Sequence, residues 1–255
     1  MQAVMLAMML VAAAPTVAQG PALPDDAPSE YELDATLAWA RRVLARDSLD
    51  VVANWRGALA IIELGKLVPD SVPDRERERA YREALDWARR AVRLAPDDAD
   101  ARFALANAIG SYALTQSKKE RVRLAVEIRE EALRAIALDS THDGAYHVLG
   151  RWNAEMMRVS GTARFFAKAF LGARVFDLAS WDEAVRLLER AAALDPQRIF
   201  HRLDLARVYL DRKRPGDARA QLQQMALLPA RNELDERYLA EGRALLLRLE
   251  TETRR

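Results

Sequence analysis

One spacing recurs along the chain and limits what it can fold into. Apolar residues stand four and then three positions apart at Ala84, Ala88 and Ala91; at Ile128, Ala132 and Ala135; at Ala184, Leu188 and Ala191; and at Ala218, Leu222 and Met225. Such residues share one face of a helix. Each run closes on Pro96, Ser140, Pro196 or Pro229, and a proline just past the pattern stops a helix. Starts are marked as well: Ser180 with Glu183, and Ser117 with Glu120, have the spacing of a capping box. A helix that repeats with one narrow apolar face cannot bury that face alone, so neighbouring copies must stack.

A small, a large and a small residue followed by proline form the second half of a tetratricopeptide repeat, a unit of about 34 residues. The chain therefore reads as all-α: a right-handed α-α superhelix of irregular tetratricopeptide-like repeats with capping helices. Periodicity from near Tyr31 through Leu37, Ala40, Val43 and Leu44 gives a lone second helix that caps the N-terminal end. Helix pairs follow at 51–67 with 75–95, 99–113 with 117–138, 143–159 with 181–194, and 199–211 with 215–227. A last amphipathic helix over 233–250 covers the final apolar face. Trp152 and Trp181 fall where large residues fill gaps between helices.

Composition narrows the function. Cysteine is absent, which excludes disulfides, thiolate metal sites and cysteine nucleophiles. Basic and acidic residues number 39 and 38, a balance that gives no reason to expect nucleic acid as partner. Residues 1–18 read as a signal peptide: the stretch is apolar and ends Thr16-Val17-Ala18, with small residues placed for cleavage after Ala18. The expected location is periplasmic or secreted. No Lys or Arg follows Met1, so the alternative is an uncleaved N-terminus that tethers the chain to a membrane. Residues 19–30, with Gly20, Pro21, Pro24 and Pro28, read as a disordered tether, and 31–250 as the helical repeat domain. No later stretch has the roughly 20 uninterrupted apolar residues that span a bilayer.

The closing residues stand 44, 56 and 33 apart, so two units carry extra residues. Insertions in repeat arrays map to one face, often the binding face. The insert at 160–179 is the most aromatic stretch, with Phe165, Phe166, Phe170 and Phe176 beside Leu171 and Val175. It reads either as a helix folded back to plug the array or as one wall of an apolar channel. Leaving these residues in water would forgo about 1.5–3 kcal/mol of burial each. The insert lies between Leu149-Gly150-Arg151-Trp152 and Trp181-Asp-Glu-Ala-Val, and contains Phe166-Ala-Lys-Ala-Phe-Leu-Gly172. These runs resemble the regulator of microtubule dynamics family, and the similarity covers roughly residues 80–229. The resemblance implies an all-helical, non-enzymatic interaction module. Eukaryotic members of that family associate with microtubules or sit at organelle contacts, and one mitochondrial member has a repeat domain that binds phospholipid.

No catalytic constellation can be named. The histidines are His142, His147 and His201; the first two are five apart, and no metal motif or phosphate loop accompanies them. No cofactor or metal is therefore expected. Alignment of Leu105-Ala106, Leu149-Gly150 and Leu205-Ala206 makes Asn107, Arg151 and Arg207 equivalent, and one turn earlier Phe103, His147 and Leu203. First helices line the concave face of such a superhelix, so these six residues are the expected partner groove. The arginines either fork onto a carboxylate or phosphate, or pair with acids of neighbouring helices. The expected function is a non-enzymatic scaffold that binds a protein or peptide segment in the groove. A lipid-binding module that uses the insert, with phospholipid as ligand, is the alternative.

Overall fold

The computed structural model describes residues 22–68, 74–160 and 174–253. Among them are ten α-helices, one 3-10 turn and no strand: α1 (Leu33–Arg46), α2 (Val51–Leu67), α3 (Asp74–Leu94), α4 (Ala99–Leu114), α5 (Lys118–Leu138), α6 (Asp143–Arg158), the 3-10 turn (Arg174–Leu178), α7 (Trp181–Leu194), α8 (Ile199–Asp211), α9 (Pro215–Ala226) and α10 (Glu233–Thr253). Helix starts follow the side chains available. Asp50, Asp98, Ser117 and Ser180 each accept the backbone N–H three residues on, and so satisfy one of the donors a helix N-terminus leaves free. At α6 the cap is the His142 ring nitrogen, which accepts from the Ala145 N–H.

The repeated small residues explain the close stacking. Ala84, Ala88, Ala91, Ala132, Ala135, Ala184, Ala191 and Ala218 are all fully buried, so helix axes approach without a side chain between them. Consecutive helices pack as pairs, α2 with α3, α4 with α5, α6 with α7 and α8 with α9, with α1 ahead of them and α10 behind. First helices also touch the next first helix, α2 to α4, α4 to α6 and α6 to α8, which makes a helical-repeat superhelix. Trp152 fills the gap beneath α5 and donates its indole N–H to the Ala125 carbonyl at 2.7 Å. Trp181 packs partly buried against the C-terminal core.

The array curls back on itself. α10 packs against α8 and reaches α2, where Arg237 donates to the Leu67 carbonyl at 3.0 Å. The segment before α1 joins this closure. From Leu23 onward the segment lies along the rim, with Pro28 bound to Arg56 and Glu30 bound to Arg198. Arginines from distant repeats supply the partners, and no local pattern announces them. Residues 1–21, the expected signal peptide included, lie outside the described residues. Among the described residues no helix is long and apolar enough to cross a membrane.

Candidate functional site: the concave chamber

The faces of α2, α4, α6, α8 and α10 that point inward enclose a cavity of about 1580 Å³. Trp55, Leu59, Phe103, Val148, Trp152 and Met156 supply apolar wall, and a polar wall runs along α6 and α8. That polar wall is a line of hydrogen-bonded groups. The Asp143 carboxylate meets His201 Nε2 at 2.8 Å, His201 Nδ1 meets His147 Nδ1 at 3.0 Å, and His147 Nε2 lies 3.2 Å from Asp204. Asp204 also holds Arg207, three residues on, and Arg151 Nε at 3.3 Å. Arg207 continues to Glu241 of α10 at 3.1 Å. Phe200 stacks edge-on against His147 and closes the line from the cavity side.

Of the six groove residues read from the sequence, Phe103, Asn107, His147, Arg151 and Arg207 line the cavity. Leu203 does not: it is fully buried in the core beside Leu205 and Leu222. In α4 the inward stripe is Phe103, Asn107 and Gly110, but in α8 it is Phe200, Asp204 and Arg207. Phe200, Asp204 and Arg207 take the places of Gly144, Val148 and Arg151 in α6, and Leu203 departs from Phe103 and His147 by lying on the core side of that stripe. Arg151 and Arg207 do not form a free anion fork, because both already hold Asp204. Arg151 keeps its side chain about half exposed, 46%, while Asp204 has only 10%.

Of the insert, Phe165, Phe166 and Phe170 lie outside the described residues. Val175 and Phe176 belong to the 3-10 turn and pack into the core beside Trp152 and Leu187, with Phe176 also reaching the cavity. Sequence reading missed Asp143, His201, Asp204 and Phe200. The Asp143–His147–Arg151 spacing of four and four was a usable signal, since it marks one face of α6. Among the described residues no cluster of His, Asp and Glu is arranged to hold a metal ion.

The charges follow from burial and pairing. Burial pushes His147 down to about 3, with His201 and Arg151 adding to the effect and Asp204 opposing it; burial lowers His201 too. Burial works to raise both carboxylates, yet His201 and Arg198 hold Asp143 at about 2, and Arg151, His147 and Arg207 hold Asp204 well below the usual range. Both imidazoles cannot be charged together in the fold, because two N–H groups would then face each other across 3.0 Å. In the unfolded chain both protonate near about 6.5. The unfolded state therefore binds more protons below that pH. Stability is expected to fall as the pH drops below about 6.5, by about 1.4 kcal/mol per pH unit for each proton the fold refuses. A second loss comes below about 4, where unfolded carboxylates protonate and the folded ones, held near or below about 2, do not. Urea midpoints at about pH 7.5 and about pH 5 measure the first loss, and no difference between them would contradict it.

Helix pairs stacked so that their first helices wall one cavity make this a tetratricopeptide-type array. The chain belongs to the family described as regulator of microtubule dynamics protein 1-3, whose model matches residues 25–250. No curated relative matches it. Among solved structures, a thermophilic TPR protein of Thermus thermophilus, TTC0263, superposes with a TM-score of 0.58 at 20% identity, covering 84% of this chain and 91% of that one. MamA gives a TM-score of 0.43 at 16% identity, with 76% of this chain and 86% of that one covered. YrrB, a TPR protein with an unusual peptide-binding site, gives 0.40 at 14% identity, with 84% of each chain covered.

Proposed function

We propose that the protein is a non-enzymatic interaction scaffold that receives an extended segment of a partner protein in its concave chamber, and that it works outside the cytoplasm after loss of residues 1–18. The size of the chamber carries the reading. At about 1580 Å³ it exceeds the roughly 300–1,000 Å³ of a small-molecule pocket, and it suits a chain several residues long. Its wall supplies aromatic and aliphatic surface for the side chains of such a segment. No group described in the chamber is set against a nucleophile or an acid–base partner across a free reaction centre. The polar groups are spent on each other.

The lipid alternative rests on the same apolar wall and on an insert whose central phenylalanines lie outside the described residues. One experiment addresses both. Peptides selected by display on the full chain are expected to lose at least about tenfold in affinity when Asn107→Trp puts a bulky ring into the middle of the chamber wall. Peptides that bind Asn107→Trp unchanged would remove the chamber from the function. Native mass spectrometry on protein taken from the exported fraction completes the test. A stoichiometric amphiphile in the chamber would favour the lipid reading, and an intact mass that retains residues 1–18 would contradict cleavage.

A further inference from the structure

Three arginines converge on Pro28, Glu30 and Tyr31 of the chain's own N-terminal segment. Arg56 of α2 donates to the Pro28 carbonyl. Arg198, at the start of α8, holds the Glu30 carboxylate at 2.9 Å and lies 5.3 Å from the centre of the Tyr31 ring. Arg231, ahead of α10, lies 4.1 Å from the centre of the same ring and donates to its hydroxyl. Asn232 reaches the Tyr31 carbonyl at 3.5 Å. A backbone carbonyl, a carboxylate and an aromatic ring are thus each read by a different arginine, and the three arginines come from distant parts of the array. Planar guanidinium groups suit both tasks, the fork onto a carboxylate and the stack on a ring.

Without the segment this seam would be poorly satisfied. Arg56 is buried, with Trp39 beneath its guanidinium and the Pro28 carbonyl as its hydrogen-bond acceptor. Arg198 would keep Asp195 at 3.1 Å and a distant Asp143 at 3.9 Å. The site therefore asks for an occupant of stated chemistry. One contact of the present occupant is weak: Glu30 is more than half exposed, 54%, and an ion pair so open to water contributes little. The segment is tied to α1, with Ala27 packed on the core of Trp39 and Ala40 and the Ser29 carbonyl accepting from Thr36 at 3.1 Å. It precedes the helix, so residues 28–31 can leave the seam without unfolding one. Residues 27–31 line the chamber, so their departure also opens it.

We propose that Arg56, Arg198 and Arg231 form a docking site for an extended acidic–aromatic peptide segment, occupied in this structure by the chain's own Pro28-Ser29-Glu30-Tyr31 and open to exchange with a partner segment that carries a carboxylate followed by an aromatic ring. The proposal rests on the chamber reading and names the partner's chemistry at the rim. A tethered segment competes at an effective concentration in the millimolar range for a short flexible link. A partner must outbid it, and the unmodified protein binds such a segment weakly.

The probe is a fluorescent synthetic peptide with the sequence of residues 23–33, added to full-length protein and followed by anisotropy. The Glu30→Ala/Tyr31→Ala variant, whose own segment is weakened, is expected to bind it saturably, and at least about tenfold more tightly than the unmodified chain. A peptide with alanine at both of those places is expected to show no binding. Arg198→Ala/Arg231→Ala is expected to abolish binding. Glu30→Gln serves as the milder second variant, with the same order and a smaller gain. No saturable binding to either variant, with circular dichroism showing both folded, overturns the proposal, as does equal binding to all forms. Chamber-selected peptides that still bind Arg198→Ala/Arg231→Ala while the acidic–aromatic probe does not bind the weakened variants would leave the chamber reading standing and remove this one alone.

Discussion

Asp204→Ala is expected to cost about 3–5 kcal/mol, the largest loss of any single substitution on the chamber wall. Asp204 has 10% of its side chain exposed, and it answers His147, Arg151 and Arg207 at once. Removing it leaves Arg207 facing only Glu241, and leaves His147 with no acceptor at Nε2. The desolvation already spent on these groups is then uncompensated. For a chain of this size the loss corresponds to a drop in melting temperature on the order of 10 °C. Asp204→Asn keeps acceptor oxygen but no charge and is expected to fall between the two. Arg151→Met removes a half-exposed partner and is expected to cost less than about 1 kcal/mol. Chemical denaturation of the three variants settles the order. A loss under about 1 kcal/mol for Asp204→Ala would mean that the charges reach water and that the line along α6 and α8 is not a buried network.

The same residue shows what the sequence could and could not disclose. Helix positions were legible because they rest on local chemistry. The Ser180–Glu183 and Ser117–Glu120 caps form where the spacing put them, at 3.1 and 3.4 Å, and the four-then-three apolar spacing ends up buried. The resemblance carried by Leu149-Gly150-Arg151-Trp152 agrees with the family model over residues 25–250. The place of Leu203 was not legible. Aligned by repeat it stands where Phe103 and His147 stand, yet it packs in the core, while Asp204 beside it pairs with His147 of α6 in the preceding repeat. The closing of the array was hidden for a similar reason. Glu30 to Arg198 and Tyr31 to Arg231 join residues 168 and 200 positions apart, and a proline-rich segment gives no sign of such partners. Periodicity reports which face of a helix is apolar; it says nothing about which distant charge a polar face will meet.

Gly150, inside a helix of the chamber wall, has no room for a single added atom. A Cβ there would lie 2.8 Å from Leu188 Cγ, 3.1 Å from Leu188 Cδ2 and 3.2 Å from the Leu188 backbone nitrogen. The Leu188 side chain is fully buried and has no room to turn, and the backbone nitrogen cannot yield without moving α7. Gly150→Ala is therefore expected to destabilise by about 1–3 kcal/mol despite alanine's better helix propensity, and Gly150→Val by more. Gly110 gives the contrast. It also sits inside a helix of the chamber wall, but its nearest contact to an added Cβ is Ile128 at 4.0 Å, so Gly110→Ala is expected to stabilise by up to about 1 kcal/mol. The two substitutions are chemically identical, and packing alone gives them opposite signs. Urea unfolding of both reads this directly, and a neutral Gly150→Ala would show that α6 and α7 can part at little cost. The consequence reaches the polar wall as well. His147 and Arg151 flank Gly150 on the same helix, and a shift of α6 away from α7 disturbs the 3.0 Å contact between His147 and His201. Once those rings separate, both can take a proton. The acid loss of stability expected for the unmodified protein should then become shallower in Gly150→Ala, as the fold refuses fewer protons than before.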